Sequence, residues 1–402
     1  MPNPNDAVMP ATSPVAEPAP RRRALLAACG AHAVHDGLTD LIYVLLPIWQ
    51  VQFGLSYAQI GVLRGAWSAT MAAFQLLASR AARRFGRERL LIGGTVLIGV
   101  AYLLAGQAGG LIALLAALVL GGLGASTQHP LASSLVSDTH EPGAPVKQAL
   151  SQYNFAGDIG KTLIPALVGV SLTVMSWRLS VTLAGVLGLL AALAMYLLIP
   201  RGAAAHVAAS GKAGRHEGTG SVGGLRALLA TGFLDSAVRM GFLTFLPFLL
   251  TDKGAGTAGI GLALTLLFIG GAFGKLLCGY LGARIGLLKT VWFTESLTAA
   301  LVVAAVFLPL QPLMVMLPLL GLVLNGTSSV LYGVVPELAA PGRREQAFAL
   351  FYTGTIGGGA LAPIVFGRLG DASGVPFALM VLAATLLLTL PLTWYVDRGL
   401  RA

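Results

Sequence analysis

A chain that carries the same residues twice at a fixed interval folds as two like units. Here Pro47, Gly54, Ile60 and Gly61 return 200 positions later as Pro247, Gly254, Ile260 and Gly261. Arg84 and Gly86 return as Arg284 and Gly286, and Gly121 returns as Gly321. After a slip of two residues, Gln148, Ala149, Gly160, Pro165 and Gly169 return as Gln346, Ala347, Gly358, Pro363 and Gly367. The repeated positions lie in or beside long apolar runs.

Apolar residues make up 56% of the chain and charged residues 10%, against about a quarter charged in a soluble domain. A bilayer core of about 30 Å is crossed by about 20 apolar residues in a helix. Twelve runs meet this length: 24–51, 56–79, 88–107, 110–137, 146–174, 177–199, 223–250, 257–280, 288–308, 310–335, 345–369 and 374–397. The expected fold class is therefore an all-α membrane protein with twelve transmembrane helices in two six-helix bundles. Residues 1–23 read as an N-terminal tail, 24–199 as the first bundle, 200–222 as a Gly/Ala-rich linker, 223–397 as the second bundle and 398–402 as a C-terminal tail. The linker carries His206, Lys212, Arg215 and His216. Arg21-Arg22-Arg23 ahead of Leu25 to Cys29 is too short an apolar segment for a signal peptide, whose core needs about 7–15 residues. Cys29 and Cys278 both fall inside apolar runs and read as reduced, structural thiols. The net charge of +10 sits in short clusters between runs, without the basic stripe and interleaved aromatics of a nucleic-acid binder.

Lys and Arg set the orientation. Of 26 such residues, only Arg178, Lys253 and Arg368 fall in the loops opposite the termini, and Arg64, Lys161, Arg239 and Lys275 fall inside spans. The rest gather on the side of both termini, which is expected to be cytoplasmic. Trp49 and Trp177 are expected at the outer interface, Trp292 and Trp394 at the inner one. Two parallel apolar halves form the pattern of a two-bundle secondary transporter, whose ligand path runs between the bundles near mid-membrane.

Four stretches carry a family resemblance. They are His32-Ala33-Val34-His35-Asp36 in the first span, Leu55-Ser56-Tyr57-Ala58-Gln59-Ile60-Gly61 at the second, Gly124-Ala125-Ser126-Thr127-Gln128-His129-Pro130 in the fourth, and Gln148-Ala149-Leu150-Ser151-Gln152 leading into the fifth. With these motifs the chain resembles the major facilitator superfamily, and within it the fosmidomycin-resistance-like drug exporters. The superfamily's loop signature is met by Arg84, Gly86 and Arg87 in the first half and by Gly279, Arg284 and Gly286 in the second. Ser79, Arg83 and Ala283 stand where it has Gly, Asp and Asp. The resemblance implies a monomeric, multi-pass protein of the bacterial inner membrane whose partners are a small molecule, protons and the lipid bilayer. It implies neither a cofactor nor an enzymatic activity.

Ionisable groups inside spans cost a few kcal/mol or more and mark functional sites. Depth at ~1.5 Å per residue suggests the structural charge pairs Asp40 with Arg64 and Lys275 with Glu295. Helical spacing suggests Asp158 with Lys161 and Asp235 with Arg239. Asp36 is then left without a fixed cation. It shares a helix face with His32 and Asp40, continued by Tyr43 and Pro47. The expected proton-coupling residues are Asp36, His32 and Asp158. The expected substrate-binding residues are Arg64 and Trp67 of the second span, Gln128 and His129 beside Pro130, Tyr153, Asn154 and Lys161 of the fifth span, and Asp235, Arg239, Asn325 and Tyr352, with Tyr332 nearby.

Other motifs fail on context. Gly157-Asp158-Ile159-Gly160-Lys161-Thr162 imitates the end of a P-loop, but Phe155 stands where the first Gly belongs, and no strand precedes it. With no ATP motif, an ion gradient is the expected energy source. His32, His35 and Asp36 have metal-compatible spacing but no thiolate or further His cluster beside them, so no metal is expected. Three functions remain: a proton-coupled exporter of a small drug-like or anionic compound, a proton-coupled importer of an organic anion, and a non-transport membrane receptor. The same residues serve transport in either direction. Reporter fusions after Gly202 and after Ala402 are expected to give a cytoplasmic signal, and a periplasmic signal at either would overturn the twelve-span map.

Overall fold

The computed structural model describes residues 19–139, 144–199, 219–341 and 343–401. Most of the tail and most of the linker, with His206, Lys212, Arg215 and His216, lie outside the described residues. The described residues form helices and turns with no strand. The first half comprises α1 (Ala19–Phe53), α2 (Tyr57–Phe85), α3 (Arg87–Gly106), α4 (Leu111–Ala125), α5 (Gln128–Thr139), α6 (Ala144–Ser171) and α7 (Trp177–Leu198). The second comprises α8 (Val222–Asp252), α9 (Thr257–Ile285), α10 (Leu287–Phe307), α11 (Leu310–Leu338), α12 (Arg344–Ser373), α13 (Val375–Leu386) and α14 (Thr389–Arg401). Two of the twelve runs are broken: the fourth into α4 and α5, the last into α13 and α14. Proline explains both breaks. Pro130 and Pro391 supply no N–H to the carbonyls of Ser126 and Leu387, four residues earlier, and the helix is interrupted there.

Among the described residues, nine helical segments are long and apolar enough to cross a membrane. α1, α2 and α6 fall outside that set because they carry the polar residues His32, His35, Asp36, Asp40, Arg64, Asp158 and Lys161. They lie among the other spans, so the chain is a multi-pass membrane protein whose least apolar helices lie at its centre. α1 begins at Ala19 and α14 runs to Arg401, so Arg21 to Arg23 and residues 398–401 are helical rather than tail. Below, the face carrying Ala19, Leu198, Val222 and Arg401 is called proximal and the opposite face distal.

The two halves use the same contacts. α1 packs on α6 as α8 packs on α12, α2 on α4 as α9 on α11, and α3 on α7 as α10 on α13. Between halves, α2 packs on α12 and α9 on α6. The repeated glycines are the residues at these contacts. A Cβ on Gly160 would overlap the Ala33 carbonyl, and one on Gly358 the Phe233 carbonyl, joining the first and fifth spans of each half. A Cβ on Gly61 would overlap the Pro363 carbonyl, and one on Gly261 would lie 3.0 Å from the Pro165 carbonyl. Gly367 meets the Tyr57 carbonyl as Gly169 meets that of Thr257. Helices in lipid gain little from hydrophobicity and associate by close packing at small residues. This requirement accounts for the recurrence of these glycines.

These four cross-bundle glycine contacts lie in the distal half, as does that of Gly65 with the Ala360 carbonyl. There the Asp371 carboxylate of α12 accepts hydrogen bonds from the backbone N–H groups of Tyr57 (2.6 Å) and Ala58 (3.0 Å) at the start of α2. Arg178 donates to the Gly106 and Ala108 carbonyls, and Lys253 to those of Val306 and Leu308. The few cations on the distal face thus cap the exposed ends of α3 and α10. On the proximal face Gly86 (φ +88°) and Gly286 (φ +83°) each make a one-residue turn between long helices, in a backbone region that favours glycine. Arg84 and Arg284 lie over the Phe85 and Tyr280 rings at 5.6 and 4.9 Å. Arg87 is half-buried, and Gly279 has open space beside it. Trp49, expected as an interfacial anchor, is fully buried against Trp177 with ring centroids 6.5 Å apart.

Gly160→Val is expected to overpack the α1–α6 contact and lower stability by about 1–3 kcal/mol. Gly61→Val strains only the contact between bundles. It is expected to leave thermal unfolding nearly unchanged while raising, several-fold, the labelling of a cysteine placed at Ala58 by a membrane-impermeant reagent on the distal side. Equal labelling in the two backgrounds would show that Gly61 does not hold the distal face shut.

Candidate functional site

The site starts from the α1–α6 contact. Gly157 and Gly160 let α6 lie against the polar face of α1. A Cβ on Gly157 would come within 2.7 Å of the His32 ring and 2.8 Å of Asp36 Oδ2, so this glycine makes the room in which His32 and Asp36 meet. One turn further along α6, Lys161 places Nζ 3.1 Å from Asp36 Oδ2. The break between α4 and α5 starts a helix at Gln128. It turns His129 toward the same carboxylate, Nε2 to Oδ1 at 3.9 Å. His35 Nε2 lies 3.8 Å from Oδ1, and His32 Nε2 lies 3.4 Å from Oδ2. Asp36 is therefore the hub of three imidazoles and one ammonium.

The protonation pattern of His32 follows from its partners. Its Nδ1 lies 2.8 Å from the carbonyl oxygen of Tyr153. A carbonyl only accepts, so Nδ1 carries the hydrogen. Its ring stacks on Tyr153 at 4.0 Å and 12°. Nε2 then faces a carboxylate oxygen, and that contact becomes a hydrogen bond only when a proton stands between the two atoms. His32 and Asp36 are almost fully buried, whereas the side chains of His129 and Lys161 are 42% and 31% exposed. These partly exposed groups border a cavity between the bundles, on the proximal side of the cross-bundle glycine contacts.

The charge pairs differ from those that spacing suggests. Lys161 bonds to Asp36 across the helix contact, because close packing at Gly157 brings that carboxylate nearer than Asp158 on its own helix. Asp158 pairs instead with Lys275 of the other bundle, Oδ1 to Nζ at 2.6 Å. Lys275 is thereby taken from Glu295. Arg64 is not paired with Asp40. Its guanidinium donates to Ser68 Oγ (2.6 Å) and Tyr43 Oη (2.8 Å) and lies 4.7 Å from the Tyr43 ring centre. The Tyr43 hydroxyl in turn donates to Met240 Sδ of the second bundle at 3.3 Å. Asp235 and Arg239 do pair, at 3.6 Å. Among the described residues, Asp40 and Glu295 have no basic partner within ion-pair distance.

Other candidates are scattered around this hub. Trp67 is fully buried, with Gly121 against its ring and Tyr102 at 6.0 Å, and so is closed off from the cavity in this state. Gln128 is buried behind His129. Asn154 is exposed, and so is Tyr352, which lies 5.3 Å from Tyr332. Asn325 donates to the Gly321 carbonyl of its own helix at 3.1 Å. His32, Asp36 and His129 bring nitrogen and carboxylate oxygen atoms within 4.8 Å of one another, so His129 takes the place that spacing gave to His35. The Lys161 ammonium already supplies the positive charge that a cation would bring to Asp36. Gly157 was legible only as part of a failed P-loop, and Met240 carried no signal in the sequence.

The comparisons agree with this architecture. The family model described as Major Facilitator Superfamily matches residues 28–229 and again 228–400, once per half. Among curated proteins, the chain is 31% identical over 41% of its length to the Major facilitator superfamily multidrug transporter mfsC of Aspergillus fumigatus. It is 28% identical over 39% of its length to the cephamycin export protein CmcT of Amycolatopsis lactamdurans. Each alignment spans 32% of the relative's own length. Among solved structures, a bacterial homolog of the human lysosomal transporter Spinster, inward-facing and occupied, superposes with a TM-score of 0.79 at 18% identity, covering 95% of this chain and 98% of that one. The nucleoside transporter NupG gives 0.75 at 15% identity, covering 93% and 98%. With both halves matched by one family model on a twelve-span, two-bundle fold, the chain belongs to the Major Facilitator Superfamily.

Proposed function

We propose that the chain is a proton-coupled exporter of a small drug-like or anionic compound. It works as an antiporter by alternating access in a bacterial inner membrane, with both termini cytoplasmic. The observation that carries this reading is the contact of His32 Nε2 with Asp36 Oδ2, a place for one proton at the end of a one-sided cavity. Two relatives bearing the words multidrug transporter and export protein support the direction. In the state described, substrate enters from the proximal side against His129, Lys161, Asn154 and Tyr352, and the His32–Asp36 proton leaves. The Asp158–Lys275 tie between bundles breaks and re-forms as the bundles rock. Arg64 and Arg239, sealed or half-buried here, face the path once the distal side opens. Substrate then leaves outward and a proton returns to Asp36.

One observation favours the opposite direction. A proton on Asp36 frees the Lys161 ammonium, which then attracts an anion. Proton and anion would bind together, as in an importer of an organic anion. Growth of an expressing strain on a drug panel that includes fosmidomycin separates the two: resistance supports export, and hypersensitivity supports uptake.

Removing one partner of a buried ion pair costs about 3–5 kcal/mol, so Asp36→Asn alone is expected to destabilise the protein. Asp36→Asn with Lys161→Met is expected to recover most of that loss, and strictly additive losses would show that the pair does not exist. In vesicles containing a pH-sensitive dye, the double variant is expected to lose gradient-driven transport and its proton movement. Undiminished proton movement would remove Asp36 from the mechanism and make Asp158 the next group to test.

A further inference from the structure

The second bundle buries an acidic pair that the Asp36 site does not use. Asp235 on α8 is 4% exposed and Glu295 on α10 is 2% exposed. Their carboxyl groups lie within hydrogen-bonding reach of each other. One guanidinium, Arg239, serves both, and it lies on the Asp235 side at 3.6 Å. Lys275, which spacing assigned to Glu295, is held by Asp158 in the other bundle. Among the described residues, the remaining neighbours carry no cation. They are Thr327 and Ser328 of α11, the Cys278 thiol of α9, and Thr294 and Thr298 of α10 itself. Glu295 Oε1 is buried without a hydrogen-bond donor.

An ionised carboxylate only accepts hydrogen bonds. Two ionised carboxylates facing each other in a buried space repel, and one hydrogen between them turns repulsion into a bond. One arginine neutralises one of the two charges, and the second charge needs a proton. We propose that Asp235 and Glu295 hold a single proton between them, giving the second bundle a proton-binding site of its own. Arg239 is the most exposed of the three groups, its side chain at 18%; its guanidinium keeps its own protons, and the pair exchanges its proton with water that reaches this side chain. α8 also carries Met240, which touches Tyr43 and Arg64 of the first bundle at 3.3 and 3.8 Å. α8, which holds Asp235, is therefore one of the helices that part when the distal side opens.

This site goes beyond the Asp36 reading and stands independently of it, so the test observes the proton rather than transport. Infrared spectra of the purified protein at neutral pH are expected to show the carbonyl band of a protonated carboxyl group that shifts in D2O. The pair's component of the band is expected to be lost in both Glu295→Gln and Asp235→Asn and kept in the double variant Asp36→Asn with Lys161→Met. The double variant Asp235→Asn with Glu295→Gln replaces the acid pair by two amides that hydrogen-bond without a titratable proton. Because it leaves Arg239 without its carboxylate, it is combined with Arg239→Met, and this triple variant is expected to fold and to lack the pair's component of the band, which covers the case in which a single variant does not fold. Asp40, the other buried acid without a basic partner among the described residues, contributes equally to both spectra. A component that persists undiminished in the triple variant would overturn the shared proton. A band that stays unshifted in D2O would overturn its exchange with the cavity. Loss of proton-coupled transport in Asp36 variants alone would bear on the exporter reading and leave the pair untouched.

Discussion

Backbone contact between helices at glycine is the interaction on which the rest of this structure depends. In lipid there is no hydrophobic gain from bringing two apolar helices together, so association rests on close fit. Gly160 on Ala33 and Gly358 on Phe233 bind the first and fifth spans of each half. Gly61 on Pro363 and Gly261 on Pro165 bind the halves to each other. These cross-bundle contacts lie in the distal half, which makes the cavity one-sided. The same geometry shows how the state can change, because the cross-bundle contacts can part while those within each bundle stay closed.

The polar site follows from that packing. Gly157 removes the side chain that would otherwise fill the space between α6 and α1. His32, Asp36 and Lys161 then meet within hydrogen-bond or ion-pair distance. Burying these charges is costly, and their mutual contacts offset much of the cost. Asp36 gains Lys161, Asp158 gains Lys275, and Asp235 gains Arg239. Of these three pairs, only Asp158–Lys275 joins the two bundles, and the Lys275 side chain is 43% exposed. A pair that is partly solvated and shared between moving bodies is easier to break than one sealed inside a bundle. This sets it apart from the Asp36 hub, which travels with its own bundle.

The two halves repeat in packing and differ in chemistry. The first holds its acid with lysine and histidine, with one lone guanidinium on tyrosine and serine. The second sets two acids against one arginine. Transporters of this superfamily move their bundles around a fixed site. Unlike chemistry on the two sides of that site means that a ligand meets different partners from each bundle. The solved neighbours below 20% identity share the fold with this chain and carry no information about which ligand that is.

How much of this was legible in the sequence depended on the range of the interaction. Span length, the twelve runs and the two-unit repeat are local properties, fixed by the hydrophobic thickness of a bilayer and by residue order. The Pro130 break is local too, since a missing N–H acts four residues away. The motif His32-Ala33-Val34-His35-Asp36 was legible as ionisable residues inside the first span and as part of the family resemblance. Charge pairing was local for Asp235 and Arg239 and long-range for the others. Spacing along one helix joined Asp158 to Lys161, and depth joined Lys275 to Glu295. The structure exchanged these partners because glycines set which helix faces touch, and a shift of a few ångströms between faces changes which ion is nearest. The sequence by itself determined that the chain crosses a membrane in two like bundles with charged residues at their centre. Only the tertiary structure decided that Asp36 meets Lys161 and Asp158 meets Lys275, because those distances are set by contacts between residues more than a hundred positions apart.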